Sequence, residues 1–195
     1  AAGADGITAH LREDRRHILD TDIERLSSEL SVPLNLECAA TDEMLKIALR
    51  YRPNAICIVP ERRSELTTEG GLDVINSRYT LERFVQTLGE NGSRVSMFID
   101  PDPAQLDAVK AIGAPVAELH TGRYCQYEGD ARARELARIV EAASHAEALG
   151  LECHAGHGLS FNTVSPVAKI STIVELNIGH FLVGEGIFLG LEDAI

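Results

Sequence analysis

The stretch RVSMFIDPDPAQLDAVKAIGAPVAELH, residues 94–120, contains one complete strand–helix–strand unit. Two short apolar runs, residues 94–99 and 115–120, have the length of buried strands. Asp102 and Pro103 predict a helix start between them, because Asp is a favoured N-cap and Pro is tolerated at the first helical position. A helix between two strands is the usual connection of a parallel sheet. The stretch therefore predicts a parallel β/α architecture.

The same alternation continues along the rest of the chain. Thr41 predicts the start of another helix, and residues 72–92 and 130–149 have helical patterns. The candidate strands are residues 5–10, 33–38, 55–59, 94–99, 115–120, 151–154 and 174–178. Seven strands fit either a doubly wound sheet or a (β/α)8 barrel that is one strand short. No linker or low-complexity segment interrupts the series, so residues 1–195 are predicted to form a single domain.

The composition argues against several classes of protein. The chain has 195 residues, and 18 Lys and Arg against 30 Asp and Glu give a formal net charge of −12. A general nucleic-acid partner is not expected, because binding the phosphate backbone needs a basic surface. No membrane partner is expected either, since no apolar run approaches the ~20 residues of a spanning helix. The four widely spaced cysteines are interpreted as buried, reduced thiols of a cytoplasmic protein.

Polar residues recur at or just beyond the carboxyl ends of the predicted strands. They are His10, Glu37, Glu61, Asp100, Glu118, His120, His157, Asn177 and His180. The carboxyl ends of parallel strands share one face, and β/α proteins build their active sites there. This recurrence predicts an active site at that face, although helix capping is the simpler interpretation of Asp100 and Asp102.

Three of these residues have the surroundings of acid–base groups. Glu37 and Glu118 lie in apolar runs, where a carboxyl group is either paired with a structural partner or has a raised pKa that suits a general base. His157 lies between two glycines and is a candidate proton shuttle. Cys153, His154 and His157 lack the spacing of an established zinc site, and neighbouring strand residues point to opposite faces, so no metal is predicted.

Two segments are candidates for binding anionic groups. HLREDRRH, residues 10–17, is locally basic and includes Arg12 and His17. Arg can bind phosphate oxygens in pairs, although a solvated, salt-bridged loop is the alternative. Gly179 and His180 follow the last strand, where barrels commonly hold phosphate.

Six segments resemble the pyridoxine 5′-phosphate synthases of vitamin B6 biosynthesis, the PdxJ-type family. They are AGADGITAHLREDRRHI, LNLECAAT, VPERRSELTTEGGLDV, ELHTGRY, HAGHGLSFNTV and ELNIGHFLVGEGIF. The resemblance implies a (β/α)8 TIM barrel that forms a homo-octamer. It also implies condensation of 3-amino-2-oxopropyl phosphate with 1-deoxy-D-xylulose 5-phosphate to give pyridoxine 5′-phosphate, inorganic phosphate and water. No metal or organic cofactor is implied.

The resemblance further implies roles for individual residues. His10 of AHLRED and Glu37 of NLE match catalytic bases, and His157 of AGHG matches the proton donor. Glu118 of AELHTG matches a residue that stabilises the transition state. The matches to phosphate-holding positions are Arg12, His17 and Thr67 for the deoxyxylulose phosphate, and Gly158, Gly179 and His180 for the amino-ketone phosphate.

The chain departs from the family pattern at its ends. The family begins with a strand carrying an Asn-x-Asp-His element, followed by a phosphate-binding Arg, and neither precedes Ala1. The last helix of the family is also cut at Ile195. We therefore expect a barrel without its N-terminal strand–helix unit, and weak or no activity from these 195 residues alone.

Two other functions stay open on the sequence. One is a different sugar-phosphate barrel enzyme, either a proton-transfer isomerase using Glu37 or a Schiff-base aldolase. The aldolase is disfavoured because it needs a lysine at a strand end, whereas Lys46, Lys110 and Lys169 lie in helical stretches. The other is a non-enzymatic scaffold or an inactive fragment.

Overall fold

A single sheet of seven parallel strands organises the computed structural model, which describes residues 2–62, 65, 67 and 70–195. The strands are β1 (Ile7–His10), β2 (Leu34–Cys38), β3 (Ala55–Ile58), β4 (Arg94–Ile99), β5 (Val116–His120), β6 (Glu152–Gly156) and β7 (Ile173–Asn177). Each strand pairs in parallel with the next one in the chain. A doubly wound sheet reverses its strand order at a switch point. The sequential order is therefore that of a barrel.

The described helices are α1 (Asp20–Glu29), α2 (Asp42–Tyr51), α3 (Arg78–Glu90), α4 (Pro103–Ala111), α5 (Gly122–Gln126), α6 (Gly129–Ala148), α7 (Val164–Ala168), α8 (His180–Leu189) and α9 (Leu191–Ala194). Thr41 caps α2 and Asp102 caps α4, as the sequence predicts. The helix predicted over residues 72–92 is shorter in the structure. Asp73 accepts hydrogen bonds from Asn76, and residues 74–77 form a turn before α3 begins.

The sheet curls into an incomplete barrel. Laid flat, seven strands at roughly 4.8 Å spacing would separate the two edges by about 29 Å. Instead, Thr8 Oγ1 on β1 donates a hydrogen bond to Asn177 Oδ1 on β7 at 2.7 Å. Within the described part of the chain, no backbone pairing joins these two strands, so side chains make the contact. The predicted β/α barrel with seven strands is confirmed.

The two faces of the sheet carry different side chains. Outward-facing residues such as Leu36, Ile56 and Met97 are completely buried in one hydrophobic core under the helices. Inward-facing residues are largely polar. Towards the amino ends of the strands, Arg94 pairs with Glu152 at 2.6 Å and with Glu175 at 3.4 Å.

His154 adds to this ionic cluster. Its ring nitrogens lie 2.7 Å from Glu152 and 3.3 Å from Glu175, and its side chain is 4% exposed. The cluster lines the inner face towards the amino ends of the strands, and its members Arg94, Glu152 and Glu175 are partly exposed there.

Helix α8 differs from the other long helices because it buries none of its residues. Its apolar side chains Val183, Ile187 and Phe188 are 67%, 78% and 84% exposed. No helix among the described residues has the length and apolar character needed to cross a membrane.

Candidate active site

The carboxyl end of the barrel brings the four predicted catalytic residues to one mouth. His10 is the last residue of β1 and lies beside Glu37 of β2 in the parallel register. Glu118 lies in β5, and His157 directly follows β6. All four belong to the same end of one curled sheet. Residues separated by up to 147 positions therefore share a single concave surface.

His10 lies between two carboxyl groups. Its Nε2 is 3.1 Å from Glu61 Oε1, and its Nδ1 is 3.8 Å from Glu37 Oε1. The Glu37 side chain is 30% exposed at the mouth, yet the surrounding wall removes most of its water. This desolvation raises the pKa of Glu37, while the nearby charge of His10 opposes the rise. Glu37 thus has the raised pKa that its apolar run predicts.

Glu118 is buried in the barrel interior with two polar partners. Its Oε2 accepts hydrogen bonds from Asn177 Nδ2 at 3.0 Å and from Cys57 Sγ at 3.6 Å. Burial, and to a smaller extent the charge of Glu37, raise the pKa of Glu118 to about 8. At neutral pH the carboxyl group is therefore mostly protonated and able to donate a hydrogen bond.

A glycine provides the space that Glu118 occupies. A Cβ atom at Gly156 would overlap Glu118 Oε1 and would lie 3.0 Å from the carbonyl oxygen of Asn177. Because Gly156 has no side chain, β6 can approach the carboxyl group closely. The glycine in AGHG is therefore part of the geometry around Glu118.

The backbone of His157 has an uncommon conformation. Its φ is +80°, a region that residues other than glycine seldom adopt. Thr121 Oγ1 lies 2.7 Å from the carbonyl oxygens of both Gly156 and His157, so its hydroxyl donates to this turn. Observed strain of this kind is frequent at functional sites. The turn directs His157 to the mouth, where the residue is exposed.

Two aromatic rings lie beside the His157 ring. The ring centroid lies 4.8 Å from that of His120 and 6.2 Å from that of Phe98. Partial burial, followed by the charge of His120, lowers the pKa of His157. The imidazole is therefore mainly neutral at neutral pH, and its protonated form is a stronger acid than free histidine.

Asp100 does not cap a helix, so that prediction is wrong. Its Oδ1 accepts a hydrogen bond from Gly71 N at 3.1 Å and lies 3.4 Å from His120 Nδ1, while the Thr67 hydroxyl donates to Oδ2. Burial alone would raise the pKa of Asp100, but the hydrogen bonds from His120 and Thr67 outweigh it and lower the pKa. Asp100 is thus an ionised group that holds His120. The sequence signal for this role is its position directly after β4.

The residues predicted to hold the deoxyxylulose phosphate follow β1 and β3. Arg12 donates a hydrogen bond to Asp14 at 3.3 Å, and its charge lowers the pKa of Glu37 against the effect of burial. His17 is exposed. Thr67 contacts Asp100, as described above. Arg12 and Thr67 therefore interact with residues of the mouth. His17 is placed near the mouth only by its position in the chain after β1.

The residues predicted to hold the amino-ketone phosphate lie near His157. Gly158 continues the unusual turn with φ of +81°. Gly179 is the N-cap of α8 and His180 its first residue. The charge of His180 contributes to the lowered pKa of His157, which brings the two histidines into the same electrostatic surroundings. Unpaired N–H groups in the first turn of a helix favour anions.

The three residues considered for a zinc site lie in different parts of the fold. Cys153 is buried in the core under the helices, whereas His154 pairs with Glu152 and Glu175 inside the barrel. Across the described part of the chain, no three His, Cys, Asp or Glu residues are grouped as metal ligands.

Comparisons with known proteins agree with this geometry. A family model described as pyridoxal phosphate biosynthesis protein PdxJ matches residues 1–195. The pyridoxine 5′-phosphate synthase of Rhodospirillum rubrum is 65% identical over 195 residues, which cover 100% of this chain and 78% of that protein. The chain belongs to the PdxJ family. The corresponding synthase of Roseobacter denitrificans is 60% identical over 198 residues, covering 100% of this chain and 80% of that protein.

Solved structures of more distant proteins share the fold of this PdxJ chain. The Amycolatopsis orientalis BexX/CysO complex matches with a TM-score of 0.60 and 17% identity, over 99% of this chain and 78% of that one. The PaMucR phosphodiesterase in complex with c-di-GMP matches with a TM-score of 0.53 and 12% identity, over 80% and 70% of the two chains. At these identities the likeness concerns the fold alone.

Cys57 is a site neighbour that sequence reasoning missed in this PdxJ chain. All four cysteines are free thiols as predicted, and Cys38, Cys57 and Cys153 are buried. The prediction of burial is wrong for Cys125, which is only partly buried. Cys57, however, faces the barrel interior and contacts Glu118, and burial raises the pKa of its thiol well above the usual value. Strand alternation in AICI could have assigned Cys57 to the inner face, but not its partner, since Glu118 lies 61 positions away.

Proposed function

We propose that the protein catalyses the condensation of 3-amino-2-oxopropyl phosphate with 1-deoxy-D-xylulose 5-phosphate to give pyridoxine 5′-phosphate, inorganic phosphate and water. Membership of the PdxJ family supports the reaction. The observation that carries the proposal is the convergence of Glu37, Glu118 and His157, each with a shifted pKa, at one barrel mouth. Shifted groups in a shared cleft are typical of acid–base catalysis.

The chemistry needs several proton transfers, and the proposed groups have suitable environments. An amine attacks a ketone only when it is unprotonated, so Glu37 and His10 are suited to accept protons. Glu118, protonated near neutral pH, is suited to donate a hydrogen bond to an oxygen that becomes negative during the reaction. His157, with its lowered pKa, gives up a proton readily once it is charged.

Two anionic substrates need two sets of donors. Arg12, together with His17 and Thr67, is proposed to hold the deoxyxylulose phosphate on the His10 side of the mouth. Gly158, Gly179 and His180 are proposed to hold the amino-ketone phosphate on the His157 side. Charge-assisted hydrogen bonds and helix N-termini are the usual means of binding phosphate in an acidic protein.

Water must be kept from the reaction, because an imine formed from the amine and the ketone would hydrolyse. Glu118 is 6% exposed and the Glu61 side chain 4% exposed, and this burial of polar groups in the mouth supports the requirement. Both substrates are proposed to bind at this carboxyl end.

The test is an assay of the purified full-length protein with both substrates. We expect pyridoxine 5′-phosphate, detected by its fluorescence, and inorganic phosphate to form only when both substrates are present. Replacement of Glu37 by Gln should lower turnover by roughly 10²–10⁴-fold while leaving the circular dichroism spectrum unchanged. Turnover of either substrate alone would instead support an isomerase, and full turnover by Glu37→Gln would remove Glu37 from the mechanism.

The aldolase alternative loses support from the positions of the lysines. Lys46 lies in α2, Lys110 in α4 and Lys169 at the end of α7, so none ends a strand. The octameric assembly that the resemblance implies and the cytoplasmic location inferred from the cysteines stay predictions.

A further inference from the structure

We propose that Glu61 is a positioning residue that fixes the ring of His10 and makes Nδ1 the proton-accepting atom. Glu61 follows β3 and has a side chain that is only 4% exposed. It therefore does not face the substrate space directly. Its Oε1 lies 3.1 Å from His10 Nε2, within hydrogen-bond distance. This inference rests on the proposed role of His10 only for its kinetic consequence.

Both oxygens of Glu61 have defined partners. Oε1 faces His10, and Oε2 accepts a hydrogen bond from the backbone N–H of Glu13 at 3.0 Å. The backbone N–H groups of Glu61 and Arg62 both donate to Glu65 Oε2, at 2.9 Å and 3.1 Å. The carboxyl group is thus held from two directions, and its place beside His10 is set by the loop that carries it.

This geometry selects one tautomer of the neutral imidazole. An ionised carboxylate only accepts hydrogen bonds, so the nitrogen that faces Glu61 must carry the proton. With Nε2 protonated, the lone pair of the ring lies on Nδ1. That atom points to the Glu37 side, 3.8 Å from Oε1. His10 and Glu37 can then both reach a substrate group held between them.

Replacement of Glu61 by Gln keeps the shape of the side chain but removes its negative charge and one of its two acceptor oxygens. The carboxylate satisfies two donors with two oxygens, but the amide has only one oxygen. If that oxygen faces His10, the amide NH₂ meets the N–H of Glu13, and two donors oppose each other. If it faces Glu13, the NH₂ donates to Nε2, and the proton of His10 moves to Nδ1. The opposed donors disfavour the first orientation, and the second moves the basic atom from Nδ1 to Nε2.

The direct test reads the tautomer of His10 by long-range ¹H–¹⁵N NMR correlation, with His10→Asn used to assign the ring signals. We expect the Nε2–H form in the parent protein at a pH where the ring is neutral. In Glu61→Gln we expect a shift to the Nδ1–H form or a mixture of both. An unchanged Nε2–H ring in the variant, or an Nδ1–H ring in the parent, would overturn the proposal.

The kinetic test uses a double-mutant cycle. Glu61→Gln should lower kcat by roughly 10–10³-fold with KM changed less than about threefold, because the effect acts through His10. In a His10→Asn background the same substitution should have almost no further effect. Equal losses in both backgrounds would contradict action through His10.

A matched control is available in the same loop cluster. Glu13→Gln removes one negative charge and only the surface pair with Arg62, at 2.5 Å, while keeping the backbone N–H that holds Glu61. It should leave the tautomer and kcat unchanged. If the parent protein lacks synthase activity while the tautomer responds to Glu61→Gln, the proposed function fails and the positioning role stands. If the protein is active and the tautomer does not respond, the positioning role fails alone.

Discussion

The buried carboxyl group of Glu118 should make the stability of the protein depend on pH in a specific way. Its ordinary pKa is 4.5, and burial raises it to about 8 in the folded protein. Between these values the unfolded chain loses the proton while the folded protein keeps it. The folded state then binds more protons, so the free energy of unfolding falls as pH rises through this window.

The magnitude follows from one proton. The slope approaches about 1.4 kcal/mol per pH unit, which amounts to about 3 kcal/mol between pH 5 and pH 8. Glu118→Gln has the same shape and no titration, so this part of the pH dependence should vanish. Relative to the parent, the variant should gain stability as pH rises, and above pH 8 the gain should level off.

Urea denaturation followed by circular dichroism at half-unit pH intervals measures the difference. Other groups titrate in both proteins and cancel in the comparison. Glu147→Gln is the matched control, because Glu147 is exposed on α6 and the same chemical change there should leave the curve parallel to the parent. Parallel curves for Glu118→Gln as well would mean that Glu118 is charged in the folded protein, and the argument from desolvation would be refuted.

Three further predictions concern the framework of the site. Gly156→Ala should lower the free energy of unfolding by about 1–3 kcal/mol, because the added Cβ overlaps the Glu118 carboxyl group; urea midpoints measure it. Thr121→Val should cost about 1–3 kcal/mol and weaken the His157 turn, since a completely buried hydroxyl is lost, whereas Thr121→Ser should restore most of the stability in the same assay. Asp102→Ala should lower the thermal midpoint by the equivalent of about 1 kcal/mol through loss of the α4 cap, without changing kcat.

Much of the fold could be predicted because its signals are local. Helix caps such as Thr41 and Asp102 act on backbone N–H groups two or three residues away, so a short window of sequence contains them. The choice between a barrel and a doubly wound sheet could not be made locally. It depends on which strands pair, and the contact between Thr8 and Asn177 joins residues 169 positions apart.

Part of the site could be predicted, because some of its signals are also local. The apolar surroundings of Glu37 and Glu118 are visible in the sequence, and their raised pKa values follow from them. The sequence does not show which residues meet across the barrel interior. His10 and Glu61 are 51 positions apart, and the role of Asp100 depends on His120, which only the curvature of the sheet brings close.

The two carboxyl groups have different neighbours, and this difference supports their different proposed roles. Glu37 lies near His10 and Arg12, whose charges favour its ionised form, while the charge of Glu61 opposes them. Glu118 has no cation among the causes of its shift, and the charge of Glu37 disfavours its ionisation further. As pH rises, Glu37 therefore loses its proton first, and its negative charge helps to keep Glu118 protonated. One mouth thus holds a base and a hydrogen-bond donor of the same chemical type near neutral pH.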